Sequence, residues 1–514
     1  MNRRDFLRNT VAAIGGIALK TGAVAAAAEI AETKTAGLRP NVVITLADDM
    51  GYGDPRCFNP ESKIPTPNID RLAREGMRFT NAHSPSAICV PTRYGLLTGR
   101  YPFRTWTEKE RRKKDDKGWE CPHYGLPTIA RDRREGKETL NLAQLFQQNG
   151  YATAALGKWH QGQLRKTQDD GTFAAAPIHF GFDYFFGFEA SGGPRAWVEN
   201  DRFVKAPTET IDVTFESYVP GDPCKAHYFS GAAAPGWDFY KVLPTLSERA
   251  DTWLTKHVAA NRTQPFFLYY PLPAPHTPLT PGPAERGKSG AGFYGDYVVS
   301  VDVNIGQLLA ALKRLGLDEN TLVFFSSDNG PAYWRELRTD RFQHRAAGPW
   351  NGGKGSILEG GHRMPFIARW PGHVPAGTTC DQRICFTDFL ATMADMLEVS
   401  LPDDAGADSF SFLPLLHGET PAKPIRTSQI HDQYGSYRVG YTYGDWKLIL
   451  PSRTYFVHDR KMVPDHVVQD KPFELYNLRT DPCETTNLAE ENQERFQSVF
   501  AALKADIERG RSRP

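Results

Sequence analysis

Asn41-Val-Val-Ile-Thr-Leu-Ala-Asp48-Asp49 decides the fold class. Its apolar run is nearly continuous, as in a strand buried on both faces, and such strands belong to parallel sheets covered by helices. The run stops abruptly in two carboxylates. The same design recurs downstream. Tyr151 to Leu156 reads as a strand followed by Gly157-Lys158-Trp159-His160. Gln264 to Tyr270 reads as a strand leading into Pro273-Ala-Pro-His276, and Leu322 to Ser326 as one ending in Ser327-Asp328-Asn329-Gly330. Met364 to Trp370 is a further strand. Helical patterns lie between them: Asn68 to Glu75, with Thr66-Pro67 before it and Gly76 as its stop, then Thr139 to Gly150, Leu246 to Ala260, Tyr297 to Leu315 and Phe386 to Leu397. Strands alternating with helices predict an α/β fold with a large, mostly parallel sheet sandwiched by helices.

The character changes after residue 400. Tyr437 to Leu450 reads as a hairpin turning at Gly444-Asp445, Glu474 to Leu478 as a short strand, and residues 489–509 as an amphipathic helix. A smaller C-terminal antiparallel sheet with a helix is therefore expected over 401–514, beside a catalytic α/β domain over 38–400. Residues 165–240 are aromatic-rich without periodicity and read as a long insertion. The charged runs 109–117 and 131–135 read as solvated loops.

The 514 residues carry 61 basic and 60 acidic side chains, a formal net charge of +1, which argues against a nucleic-acid partner. No run beyond the N-terminus is long and apolar enough for stable membrane insertion. Residues 1–28 have the layout of a twin-arginine signal peptide: Arg3-Arg4, an apolar stretch from Val11 to Leu19, then the small-residue run Ala23 to Ala28. Export by the Tat translocon to the periplasm or beyond is the expectation. An oxidising compartment would permit disulfides among the seven cysteines without requiring them.

The chemistry-bearing residues collect at strand ends, where open α/β sheets bind ligands. Asp48, Asp49, Asp328 and Asn329 are hard oxygen donors suited to Ca²⁺ or Mg²⁺. Lys158 and His160 alternate on an extended segment, so both are expected on one side. Lys354 sits on the glycine turn Gly352-Gly-Lys-Gly355, able to reach an anion. Glu359 to Pro365 reads as turn and packing.

One stretch adds a reactive group. In Ser84-Pro-Ser-Ala-Ile-Cys89-Val-Pro-Thr-Arg93 a loop becomes a helix, with Pro91 in its first turn. Cys89 falls at the helix N-terminus and Arg93 one turn on, the makings of an anion site. A lone Cys is more often a small core residue. The longer pattern Cys89-Val-Pro-Thr-Arg93…Thr98-Gly-Arg100, however, resembles the signature of type I sulfatases, with Thr92 where Ser or Ala is usual. The resemblance extends from about residue 38 to about residue 490 through Asp48-Asp49, Gly157-Lys-Trp-His160, Pro275-His-Thr-Pro278, Ser327-Asp-Asn-Gly330 and Gly352-Gly-Lys354. It places the chain with arylsulfatase-type enzymes of the alkaline-phosphatase-like superfamily.

That resemblance implies a post-translational formylglycine (3-oxoalanine) made from Cys89 by a formylglycine-generating enzyme. It implies Ca²⁺ on Asp48, Asp49, Asp328, Asn329 and the modified residue 89. Sulfate contacts are implied for Arg93, Lys158, His276 and Lys354, with His160 beside the nucleophile. Gln161 stands where Leu is commoner and Asn351 where Arg is, both expected to lie away from the chemistry. The activity implied is sulfate-ester hydrolysis, by attack of the aldehyde hydrate with Asp328 as proton acceptor and His276, with Lys354, as acid. The alternatives are a phosphodiesterase or phosphonate monoesterase of the same superfamily, or a non-catalytic binder of sulfated glycans. Export and the tryptophans Trp106, Trp119, Trp197, Trp237, Trp334 and Trp350 suit a sulfated saccharide. His344 to Trp350 is similar to bacterial relatives of N-acetylgalactosamine-6-sulfatase, so that type of ester is the expected substrate.

Overall fold

The Asn41–Asp48 strand is buried along its whole length because its two faces feed two hydrophobic cores. Val42, Ile44 and Leu46 enter one cluster, with the helices Cys89–Thr98, Leu142–Gln148 and Phe389–Met396. Val43 and Ala47 enter the other, with the helices Pro67–Glu75, Val242–Asn261 and Gly292–Arg314. Period-two alternation into two apolar layers makes the three-layer α/β sandwich expected from the sequence. The computed structural model describes residues 39–105, 128–162, 164, 167–190, 193–215, 228–332, 341–433, 438–451, 455–458, 461–464 and 472–513. The leader over 1–28, the charged run 109–117, Cys121, Cys224, Trp106, Trp119 and Trp334 lie outside the described residues.

The large sheet has eleven strands. Its centre is parallel: Asn41–Asp48 lies between Thr321–Ser327 and Phe266–Pro275, followed by Ala152–Lys158 and Tyr184–Phe188. Beyond Thr321–Ser327 it turns antiparallel through Arg363–Arg369 and Met77–His83. Register fixes the site. Ala47 pairs with Ser327 and Asp48 with Pro275, so the residues that follow each strand emerge along one edge.

Several local expectations are corrected. The predicted Thr139–Gly150 helix begins later, at Leu142, because Asn141 and Gln144 form a reciprocal capping box. Gly76 is extended, not a left-handed helix stop. A Cβ there would lie 2.3 Å from the Ala368 carbonyl oxygen, so close strand packing demands the glycine. The insertion over 165–240 contributes a short strand, Tyr184–Phe188, to the large sheet. The 131–135 run is no solvated loop. It lies on the short helix Ile129–Arg134, and Tyr94 donates to the buried Asp132 at 2.6 Å. Met77–His83, a strand the sequence pattern did not reveal, delivers the chain to the loop before Cys89.

The C-terminal sheet is antiparallel, in the order Ser428–Gln433, Arg438–Tyr443, Trp446–Ile449 and Glu474–Asn477, with the helix Gln493–Arg509. It touches the nucleophile loop directly: Asp432 N–H donates to the Pro85 carbonyl at 3.1 Å, and Ser86 Oγ donates to the Asp432 carbonyl at 3.2 Å. A buried ionic cluster locks the two sheets. Lys447 Nζ lies 3.1 Å from Glu359 and 2.7 Å from Glu484 and also meets His362 at 3.0 Å. Burial alone would push the Glu359 carboxyl up, but Lys447 outweighs it and holds Glu359 well below the usual carboxylate range. Cys57, Cys89, Cys380, Cys385 and Cys483 are all free thiols.

Candidate active site

The edge of the large sheet gathers four carboxylate or amide groups, three cations and two histidines around Cys89. The Cys89–Thr98 helix starts at Cys89, with Ile88 as an extended N-cap and Gly99 as a left-handed stop. Every residue of this helix is buried. Arg93, fully enclosed, donates Nε and Nη2 to Asp328 at 3.0 and 2.8 Å and Nη1 to the Lys158 carbonyl at 3.1 Å. A guanidinium held at three nitrogens is a fixed positive wall.

Lys158 ends its strand with Nζ 2.6 Å from Asp48 Oδ2. Lys354 reaches from its glycine turn to Asp49, 2.7 Å from Oδ1. His276, just past the Phe266–Pro275 strand, has Nε2 3.8 Å from Asp49 Oδ2 and Nδ1 2.8 Å from the Thr277 carbonyl. Asp49 itself is left-handed, at φ 68°, and so is His160, at φ 54°. Such backbone costs about 1–3 kcal/mol per residue and persists only where the surroundings enforce it. The turn at His160 breaks the simple alternation with Lys158 expected from the sequence. His160 nonetheless stays within electrostatic reach of Lys158, Arg93, Asp48 and His276.

The electrostatics follow from burial against charge. Burial favours a neutral Asp48, but the fixed cations Lys158, Arg93 and Lys354 hold it well below the usual carboxylate range. Burial and the Asp48 charge push Asp328 up, against Arg93. Burial and then the neighbouring cations push both His160 and His276 down, so both are neutral. Burial also raises the Cys89 thiol, despite Lys158 and Lys354. An enclosed, protonated thiol is a weak nucleophile.

A divalent cation fits this arrangement. Carboxylate oxygens of Asp48 and Asp328 and the sulfur of Cys89 lie within 4.8 Å of one another, as do ligand atoms of Asp48, Asp49 and His276. Asp48 Oδ1 and Asn329 Oδ1 are buried without a hydrogen-bond partner among the described residues. Asn329 spends its Nδ2 on Asp49 Oδ1 at 2.8 Å, which leaves the amide oxygen as the group to be satisfied. Orphaned oxygens among clustered carboxylates are what a hard cation repairs. Gly330 lets the loop approach, since a Cβ there would meet the Gly360 carbonyl oxygen at 1.9 Å.

Sequence reasoning missed the supports. Ser327 Oγ accepts from Met50 N–H at 3.0 Å, and Tyr294 OH donates to the Asp49 carbonyl at 3.2 Å. Gln161, expected away from the chemistry, donates Nε2 to the Val90 carbonyl at 2.8 Å, one residue from Cys89. Asn351 donates Nδ2 to the Cys483 carbonyl at 2.6 Å. A cleft opens beside Lys158 and His276, with Phe188, Trp237, Phe239 and Tyr297 among its walls. Its aromatic residues from the insertion carry no periodic signal by which a sequence could place them.

Comparison with known proteins agrees with this geometry. Residues 40–399 match the family model described as Sulfatase, and residues 353–513 match N-sulphoglucosamine sulphohydrolase, C-terminal. The chain is 31% identical over 507 residues to an N-acetylgalactosamine-6-O-sulfatase of Bacteroides thetaiotaomicron, covering 91% of this chain and 93% of that protein. It is 32% identical over 477 residues to human arylsulfatase A, covering 90% and 86%. A solved structure from work on glycosaminoglycan metabolism by Bacteroides thetaiotaomicron superposes with a TM-score of 0.73 at 28% identity, covering 92% of this chain and 100% of that one.

Proposed function

The chain belongs to the sulfatase family and is a sulfuric ester hydrolase, and we propose that Cys89 is the precursor of its nucleophile, that Ca²⁺ is its metal and that a saccharide sulfate of the N-acetylgalactosamine-6-sulfate type is its substrate. The observation that carries this reading is the convergence of Arg93, Lys158 and Lys354 with orphaned Asp48 and Asn329 oxygens around Cys89. Matured residue 89 supplies a geminal-diol nucleophile, and a cation held by Asp48, Asp49, Asp328, Asn329 and residue 89 supplies positive charge beside it.

The remaining chemistry falls to the chain's own side chains. Arg93, fixed by Asp328, and Lys158, fixed by Asp48, bind the sulfuryl oxygens and offset their developing charge. Lys354, kept protonated by Asp49, stands where the leaving oxygen takes its proton, and neutral His276, whose Nδ1–H is spent on the Thr277 carbonyl, presents Nε2 beside it as an acceptor. Neutral His160, whose Nδ1 is buried without a partner among the described residues, accepts a proton there. Aromatic walls of the adjoining cleft suit the faces of a sugar ring. The leader is proposed to direct Tat export after a formylglycine-generating enzyme has acted on the chain. No helix among the described residues is long and apolar enough to cross a membrane.

Purified mature protein is expected to hydrolyse para-nitrophenyl sulfate well ahead of the corresponding phosphate, and N-acetylgalactosamine-6-sulfate ahead of saccharides sulfated elsewhere. Preference for the phosphate would overturn the assignment of the chemistry. Equal rates across sulfated saccharides would overturn the substrate. The metal has its own test. Chelation is expected to lower the thermal midpoint, and Ca²⁺ at about 100 times its dissociation constant restores about 2.7 kcal/mol. An unchanged midpoint through chelation and Ca²⁺ addition would remove the cation from the site.

A further inference from the structure

We infer that Gln161 is a positioning residue that ties the His160 imidazole to the nucleophile helix. Its side chain is fully enclosed. The single Nε2 group donates twice, to the Val90 carbonyl at 2.8 Å and to the carbonyl of His160 itself at 2.9 Å. One amide therefore bridges the first turn of the Cys89–Thr98 helix and the left-handed turn that aims His160. The backbone around it is clamped from the other side. Trp159 N–H donates to Phe188 at 2.9 Å, His160 N–H to Glu189 at 3.0 Å, and the Gln161 carbonyl accepts from Ala130 N–H at 3.3 Å.

The other end of the amide explains why a packing role is not enough. Gln161 Oε1 is buried with no partner among the described residues. An apolar side chain of similar volume would fill the space without an unmet acceptor. Leu is such a side chain. A glutamine held at that disadvantage is held for its donor, and both acceptors of that donor are backbone oxygens next to reacting groups. His160 has no hydrogen bond on Nδ1 to orient its ring, so its direction depends on the backbone turn that Gln161 secures.

The test is a double-mutant cycle on para-nitrophenyl sulfate, with rates expressed per matured residue 89 as counted by mass spectrometry. Gln161→Leu is expected to lower kcat about tenfold, since small misplacements of a reacting group cost this much or more, while KM stays within about twofold. In the His160→Ala background the same substitution is expected to cost nothing further, because the effect passes through the imidazole. An equal loss in both backgrounds, or no loss in either, would overturn the inference. A second readout does not depend on turnover. In the Cys89→Ala protein with histidine-selective nitrogen labelling, the signal that His160→Ala removes is expected to shift or broaden on Gln161→Leu. An unchanged signal overturns the inference. The inference takes the reaction itself from the proposed function. If wild-type protein hydrolysed no sulfate ester, that reading would fail, and the imidazole signal would still decide the role of Gln161.

Discussion

Replacing Cys89 with Ala removes turnover. The expected fall in kcat/KM on an aryl sulfate is about 10⁴-fold or more, the scale of losing a nucleophile, with little change in the thermal midpoint. Ala fits the space of a small buried side chain and breaks no hydrogen bond of the helix. The unconverted wild-type thiol should behave almost as badly, because burial keeps it protonated. Activity of a wild-type preparation is therefore expected to scale with the fraction of residue 89 carried as aldehyde, read by mass spectrometry of the peptide that contains it. Cys89→Ser supplies one hydroxyl where two are needed. It is expected to capture a sulfo group and hold it, since no neighbouring hydroxyl on the same carbon expels it. Retention of more than about one hundredth of the wild-type rate by Cys89→Ala would place the nucleophile elsewhere.

The second large effect is on stability. Lys447 is fully buried and compensates two buried carboxyls, Glu359 and Glu484. Lys447→Met leaves Glu484 without its cation and Glu359 with Arg363 alone, 3.1 Å from its other oxygen, and breaking a buried pair from one side costs about 3–5 kcal/mol. The loss should appear as a lower midpoint in denaturant at unchanged slope. Adding Glu359→Gln and Glu484→Gln is expected to recover much of it, because the uncompensated charges are then gone. A Lys447→Met protein within about 1 kcal/mol of wild type would mean that water or rearrangement already satisfies the pair.

The parts of the fold that were readable share one physical property. Asn41–Asp48 declares itself because both its faces are buried, and Asp48, Asp49, Asp328 and Asn329 stand out because polar residues interrupt apolar runs at one edge. His276 was readable for the same reason. The rest depends on partners far along the chain. Lys447 meets Glu359 across 88 residues and Gln161 meets Val90 across 71, and neither separation leaves a local pattern. Asp132 looked solvated because its run is charged, yet Tyr94 buries it. The left-handed turn at His160 cannot be read from its side chain, since Gly is the residue that normally announces such a turn. Lys158 and His160 were both singled out in the sequence, but the alternation used to relate them does not survive that turn.

The contact between Ser86 and Asp432 spans 346 residues. A ribosome adding about 5–20 residues per second needs roughly 20–70 s to cover that distance. For that interval the segment carrying Cys89 has been made and its docking strand has not. If a formylglycine-generating enzyme acts on residue 89 as proposed, this interval is an opening for it, and the docking of residues 428–433 closes that opening. Slowing or speeding synthesis of the stretch between them should lengthen or shorten that opening, making the yield of active molecules a property of how fast the chain is made as well as of what it contains.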